Sequence, residues 1–271
     1  MKKSLLYLLL CCCCHGYAQP NCNIYKTNGN DSCYQACLMA TSGLGEQGSK
    51  ISQMRFDKAI EACPSLDYAY MEKAVPYLKR GEFATWKVWI DKAVDLNPLG
   101  HLGYRGWCRY QFLRDYEGAI RDFEHLDSLK TGDLGYAING DYQLNIAKAL
   151  CYKGLGQKQK AIQIIETQLA EKGYTPLMFD YLHLGVLKIE TGDLDGGIAS
   201  LTQSIALNDY LAEAYYYRAL AYQQKDRIAA FRTDMEKALE FYQKRYRRDD
   251  PYTQPMDKIY LSDIEAALKK G

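Results

Sequence analysis

Three histidines follow the N-terminal segment, and they are the side chains best suited to acid–base or metal chemistry: His101, His125 and His183. The chain has no His-Glu-x-x-His zinc pair, no Gly-x-Ser-x-Gly nucleophile turn and no glycine-rich phosphate loop ending in Lys-Ser/Thr. His125 stands two residues before Asp127, and residues at that spacing on a helix do not face each other. The sequence therefore predicts no catalytic residue, metal or cofactor, and it favours structural roles for His125 and His183.

The cysteines are the second group with chemical potential. Four of the ten, Cys11–Cys14, lie in the N-terminal segment, and four more lie between residues 22 and 63. Spacing alone does not decide their pairing. The helical pattern places Cys33 and Cys37 near the start of one helix and Cys63 at the end of its antiparallel neighbour. We therefore expect a disulfide from Cys63 to one of these two cysteines, with Cys22 pairing with the other.

The same four cysteines could instead hold zinc, but no Cys-x2-Cys pair is present to support that alternative. Cys108 and Cys151 fall inside helical patterns, which predicts buried thiols.

Residues 1–19 have the pattern of a secretory signal peptide. Lys2 and Lys3 precede an apolar run, Leu5–Cys14, of ten residues. A bilayer-spanning helix needs about 20. We expect cleavage after Ala18 or Gln19, export to the periplasm or the extracellular space, and no integral membrane segment afterwards. A membrane anchor and a lipoprotein are the alternatives. The lipoprotein is disfavoured because Leu10 or another cysteine stands where a small residue is needed.

The overall charge argues against partners that are held by an electrostatic field. The full chain has a formal net charge of +1. Removal of the signal segment leaves 32 basic and 33 acidic residues. A balance so close to zero predicts no nucleic-acid partner. The pairs Arg247-Arg248 and Asp249-Asp250 are expected to form a solvated linker, and an anion-binding patch over Lys244–Arg248 is the alternative.

The chain also contains a repeat of 34 residues. In Asp67–Gly100 two amphipathic patterns meet at Gly81, and Pro98 closes the second pattern. In the preceding window, Cys33–Leu66, matching residues stand 34 positions earlier: Ala40, Phe56, Ala59 and Pro64 precede Ala74, Ile90, Ala93 and Pro98. Further windows cover 142–175, 178–211 and 212–245. Residues 101–135 form a divergent copy, with a glycine-rich insertion over 130–140.

These windows resemble the tetratricopeptide repeat. The small residues and proline of that repeat are matched by Ala74, Ala93 and Pro98, by Ala149 and Ala161, by Gly185 and Gly197, and by Ala219 and Ala238. Trp86, Phe231 and Pro76 depart from the pattern. The resemblance covers residues 33–245 and implies an all-α, right-handed superhelical solenoid of antiparallel helix hairpins. Residues 20–32 would precede it, pinned by the disulfides, and 246–271 would form a linker and a capping helix, the helix beginning at Asp257.

The resemblance also implies a concave groove lined by the first helix of each repeat. Its principal residues would be Tyr68, Met71, Val75, Leu78, Ile146, Leu150, Phe179, Leu182, Val186, Tyr216 and Leu220. The same mapping adds Lys79, Lys153, Ile189, Glu213, Gln223 and Gln224. Met71 and Val75, like their equivalents in the later repeats, replace the lysine and asparagine of the family's carboxylate clamp. The apolar face instead suits a helix or an extended peptide. Packing against neighbouring repeats or the chain's own N-terminus is the alternative for each residue.

The predicted function is that of a non-catalytic protein–protein interaction scaffold. An accessory subunit of an envelope or secretion assembly is the first alternative. A peptide- or glycan-acting enzyme is the second, and the chain has no motif for it.

Overall fold

The computed structural model describes residues 20–42, 47–130 and 132–270. The predicted signal segment, with Cys11–Cys14, lies outside these ranges. Within them the regular secondary structure is helical, apart from one isolated bridge between Tyr136 and Gln143. None of the helices described is both long and apolar enough to cross a bilayer. The chain divides into two compact units, Met1–Pro76 and Tyr77–Gly271.

The first unit is built on helices α1 (Asn23–Thr27), α2 (Asp31–Ser42), α3 (Lys50–Ala62) and most of α4 (Asp67–Lys79). Ser49 caps α3 by accepting a hydrogen bond of 3.1 Å from the Ser52 amide. The core contains the fully buried Ala40, Phe56 and Ala59. Helix α4 continues through Pro76, so this departure from the repeat pattern does not break the helix.

The second unit continues the hairpin pattern. Its helices are α5 (Phe83–Leu96), α6 (Pro98–Cys108), α7 (Tyr116–Leu129), α8 (Leu144–Gly154), α9 (Lys158–Ala170), α10 (Asp180–Glu190), α11 (Leu194–Leu207), α12 (Ala212–Gln224), α13 (Ile228–Gln243) and α14 (Leu261–Lys270). The first helices α6, α8, α10 and α12 contact one another in succession, and each also contacts its own second helix, α7, α9, α11 or α13. The first helices therefore form one layer of this unit, which we call the first-helix face.

Small residues permit the close crossing of α10 and α11. A β-carbon added to Gly185 would lie 2.5 Å from Cγ of Leu201 and 3.1 Å from the carbonyl oxygen of Gly197. Backbone contact of this kind requires glycine. Trp86 and Phe231, which are large residues at normally small positions, are nevertheless buried in the core.

Ion pairs join the helices of two hairpins. The guanidinium of Arg105 on α6 donates two hydrogen bonds, of 3.0 and 2.6 Å, to Asp122 on α7. Arg218 on α12 binds Asp234 on α13 in the same way, at 2.7 and 2.9 Å. Such forked pairs fix both distance and orientation.

The divergent copy begins earlier than its predicted window. Pro98, expected to close the preceding repeat, occupies the first turn of α6, where its missing N–H breaks no helical hydrogen bond. Helix α6 then continues into a π-helical turn, Arg109–Leu113, before Arg114 enters the left-handed region with φ 54°. A π-turn accommodates an extra residue, which accounts for the divergence of this copy from the 34-residue pattern.

The end of the chain returns to the last hairpin. Helix α14 starts at Leu261, four residues after the start predicted at Asp257. Its buried Ile264 and Ala267 share a core with Phe231, Met235 and Ala238. The helix therefore covers apolar surface of the final hairpin.

Candidate functional site

Residues 244–260, which connect α13 to α14, lie against the first-helix face, and we call them the C-terminal connection. The carbonyl oxygen of Tyr246 accepts a hydrogen bond of 3.0 Å from the amide of Ala212, at the start of α12. At the other end, Nε2 of Gln111, in the π-helical turn, donates to the hydroxyl of Thr253 at 2.7 Å. The connection thus spans the face from α12 to the end of α6.

Arg248 is the innermost cation of the connection, with 6% of its surface exposed. Its amide donates to Oε1 of Glu213 at 2.8 Å. Its guanidinium donates to the Tyr142 hydroxyl and lies 4.3 Å from the ring centre of Phe179. The expected solvated linker is therefore wrong for Arg248, because a guanidinium with stacked rings and acceptors around it can be buried.

Asp257 is the matching anion. Its side chain is 5% exposed, and its carboxylate accepts from Nζ of Lys153 at 2.5 Å and from Nδ1 of His183 at 2.6 Å. Burial alone would raise the pKa of this carboxyl. The charge of Lys153 and the hydrogen bond from His183 outweigh burial and hold the pKa below its usual range.

The contacts of His183 define its protonation. Nε2 lies 3.2 Å from Nη1 of Arg248 and 3.0 Å from the hydroxyl of Tyr142. A guanidinium only donates, so Nε2 must accept, and the single proton of a neutral ring stays on Nδ1, towards Asp257. Burial, together with the charge of Arg248, outweighs the carboxylate and lowers the pKa of His183 to about 4. His183 is thus a neutral structural histidine with both nitrogens engaged.

An aromatic frame surrounds these polar groups. The ring of Tyr142 lies 5.8 Å from that of Phe179, 5.7 Å from that of His183 and 5.2 Å from that of Trp107. Burial raises the pKa of Tyr142 above its usual range, so the phenol stays protonated. Arg248 and His183 have little access to water beside these rings, which strengthens their hydrogen bonds.

The residues predicted to line the groove occupy two kinds of position. Half-buried positions hold Tyr68, Met71, Val75, Phe179, Tyr216 and Leu220, whereas Leu78, Ile146, Leu150, Leu182 and Val186 are at most 4% exposed. Leu182 and Val186 belong to a core with Leu201, Leu211 and Ala214. The five buried residues present no open surface, because neighbouring elements already cover them. Their contact with a partner stays a prediction.

Three of the residues that the resemblance assigned to the groove do hold a peptide segment, which is the chain's own. Lys153 binds Asp257, whereas Phe179 and Glu213 both contact Arg248. Sequence reasoning proposed the N-terminus as an internal occupant and missed the C-terminal connection. The sequence feature that could have indicated this occupant is the proline-interrupted stretch between the last repeat and the final helix.

An apolar cleft of about 520 Å³ lies elsewhere on the second unit. Helix α6 contributes Leu99 and Gly103 to it, α7 contributes Leu126, and the inserted loop contributes Leu134 and Tyr136. A short hairpin shapes this loop, since the Ala137 amide donates to the carbonyl of Tyr142 at 2.7 Å.

The cysteines of the first unit form two disulfides, Cys22–Cys37 and Cys33–Cys63, with Cα atoms 5.5 and 4.9 Å apart. The structure thus selects one of the two predicted arrangements. The bonded sulfurs are not free to bind zinc as thiolates, and the described residues contain no other group suited to a metal ion. Cys108 and Cys151 are buried thiols, as predicted, and burial raises the pKa of both.

Comparison with known proteins gives a likeness of fold. The sequence matches no family model and no curated protein. PilW, described as a widely conserved type IV pilus biogenesis factor, superposes with a TM-score of 0.63 at 14% identity, covering 88% of this chain and 99% of PilW. PilF from Pseudomonas aeruginosa gives a TM-score of 0.59 at 13% identity, over 80% of this chain and 94% of its own. A tetratricopeptide repeat protein from Parabacteroides merdae superposes with a TM-score of 0.55 at 14% identity, covering 92% of this chain and 94% of that protein. The helix pairs and these superpositions together show that the chain has the all-α fold of tetratricopeptide-repeat proteins.

Proposed function

We propose that this chain is a non-catalytic scaffold that binds a peptide or protein segment on its first-helix face. One observation supports the proposal above others. The C-terminal connection, which is non-helical between α13 and α14, is held there by side chains of successive first helices and the π-helical turn: Gln111, Lys153, His183 and Glu213. A surface that holds one irregular peptide through spaced anchors has the properties needed to recognise another.

The polar cluster supports binding rather than catalysis. Both ring nitrogens of His183 contact groups of the chain, and the carboxylate of Asp257 is shared by two donors. A general base must lie within hydrogen-bond distance of a substrate proton, and neither nitrogen of this imidazole is free to accept one. The cluster therefore serves to hold a segment in place.

The proposed location is the periplasm or the extracellular space. The signal-peptide pattern of residues 1–19 supports export, as do the two disulfides, because such bonds persist in oxidising compartments. An accessory role in an envelope assembly is the second candidate. PilW, which is described as a pilus biogenesis factor, has a similar fold, and this similarity of fold is the only support that PilW gives to the accessory role. Fractionation separates the two, since an accessory subunit would stay with a membrane complex.

Site-specific photo-crosslinking tests the scaffold proposal. A crosslinking amino acid replaces Leu220 on α12, which is half-buried on the first-helix face, or Val88 on α5, which is 65% exposed. We expect one discrete partner to crosslink from position 220 in cells and not from position 88. The same products from both positions, or products from neither, would contradict the proposal.

A further inference from the structure

We infer that the first-helix face contains a guanidinium-binding site, which Arg248 fills within the chain and which takes an arginine side chain of an incoming peptide. The inference rests on the proposed function and names the chemistry of the partner. No carboxylate clamp is involved, because the ligand group at this site is a cation.

The geometry fits a planar cation. The ring of Phe179 lies 4.3 Å from the guanidinium carbon and that of Tyr142 lies 5.8 Å from it. On the face, the acceptors around the guanidinium are Nε2 of His183 and the Tyr142 hydroxyl, and the connection itself adds the carbonyl oxygen of Met256. A guanidinium can stack and donate in several directions at once, whereas the compact ammonium of lysine cannot satisfy this arrangement.

The charge of the site also favours a cation. Glu213 is fully buried, and its Oε1 accepts from the Arg248 amide. Its second oxygen, Oε2, is buried and has no hydrogen-bond partner. Burial raises the pKa of Glu213, while the charge of Arg248 opposes that rise. A buried carboxyl with an unused acceptor can serve a further donor of a bound peptide.

The segment that fills the site has features of a replaceable ligand. Flanking residues such as Asp249 and Tyr252 are exposed, and the turn residues Arg245 and Asp257 have positive φ values of 66° and 62°. Left-handed residues other than glycine cost energy, so the chain gains by relaxing them when another peptide supplies the anchors. Arg248 therefore acts as an internal competitor for the site.

Chemical rescue tests the site in the full chain. Arg248→Met removes the guanidinium and keeps much of the apolar stem. Methylguanidinium should raise the unfolding temperature of this variant in a saturable way, by about 5–10 °C at roughly 100 times its dissociation constant. Methylammonium should have little effect, and the wild type, whose site is filled, should show no saturable rise in unfolding temperature. Arg247→Met is the matched control, because Arg247 stacks on Tyr242 outside the cluster.

A second measurement addresses an external arginine. A labelled peptide with the sequence of residues 246–258 should bind Arg248→Met at least about tenfold more tightly than wild type. A peptide of the same sequence in which lysine replaces only the arginine equivalent to Arg248 should bind the variant about tenfold more weakly than the unchanged peptide. If Arg248→Met does not fold, Arg248→Lys is used in its place. Equal responses to methylguanidinium and methylammonium, or equal peptide affinity for wild type and variant, would overturn the inference.

These outcomes are separate from those of the scaffold proposal. Rescue without a crosslinked partner would retain the guanidinium site and reject the scaffold role. A partner crosslinked at position 220 with no rescue would do the reverse.

Discussion

The carboxylate of Asp257 lies 2.6 Å from Nδ1 of His183, although 74 residues separate the two in the chain. The contact attaches the C-terminal connection to α10. It also orients the imidazole so that Nε2 accepts from Arg248. One histidine thereby links an anion and a cation of the same segment.

The neutrality of His183 predicts a loss of stability in mild acid. An unfolded histidine takes up a proton near pH 6.5, whereas burial lowers the folded pKa to about 4. The unfolded state therefore binds more protons between these values. The contribution of His183 to the free energy of unfolding should fall by up to about 3 kcal/mol as the pH decreases from about 6.5 to about 4.

Comparison of wild type with His183→Gln isolates this effect. Both proteins are unfolded with urea at several pH values across that window. The free energy of unfolding of His183→Gln should rise relative to that of the wild type as the pH falls. His125→Gln serves as the control, since His125 is exposed on α7. Parallel pH profiles for wild type and His183→Gln would contradict the assignment of a neutral imidazole.

Asp180 should produce the opposite pH dependence. Burial raises its pKa to about 6, although its Oδ2 accepts hydrogen bonds from the Tyr174 hydroxyl at 2.5 Å and the Leu177 amide at 2.8 Å. The unfolded carboxyl ionises near 3.8, so the contribution of Asp180 to the free energy of unfolding should decrease by up to about 3 kcal/mol as pH rises from about 4 to about 6.

Asp180→Asn should therefore be more stable than wild type at neutral pH, because its side-chain oxygen can keep both accepted hydrogen bonds. The advantage should shrink towards pH 4. Thermal unfolding across this range measures it, with the exposed Asp95→Asn as the control. A neutral-pH loss of stability in Asp180→Asn would show that the ionised carboxylate is the stabilising form.

The disulfides should contribute strongly to the first unit. Cys33–Cys63 closes a separation of 30 residues and Cys22–Cys37 one of 15. Loop-closure entropy gives about 3–4 kcal/mol for each, with the longer loop worth slightly more. We expect paired serine substitutions at 33 and 63 to reduce the hydrogen-exchange protection of α2 and α3 more than those at 22 and 37.

Peptide mapping without reduction provides the direct check of the pairing. It should recover Cys63 linked to Cys33. A Cys63–Cys37 link would show that the other predicted arrangement is the correct one.

Local chemistry made much of the fold predictable. Gly81, Gly156 and Gly192 mark turns between helices, and each has the positive φ that glycine tolerates without strain, 77°, 76° and 89°. Gly185 and Gly197 marked a close helix crossing for a reason that depends only on side-chain size. The same patterns missed the π-helical turn at Arg109–Leu113, because one extra residue shifts a helical pattern without leaving a distinctive motif.

The sequence by itself determined the succession of helix pairs and the candidate cysteines, since spacing along a helix fixes which side chains share a face. Only the tertiary structure decided that Cys63 bonds Cys33, and that Arg248 lies buried against Phe179 instead of in a solvated linker. Both outcomes depend on where distant segments meet. A buried cation is stable only among acceptors and rings that the folded chain brings together, and no local pattern encodes that meeting.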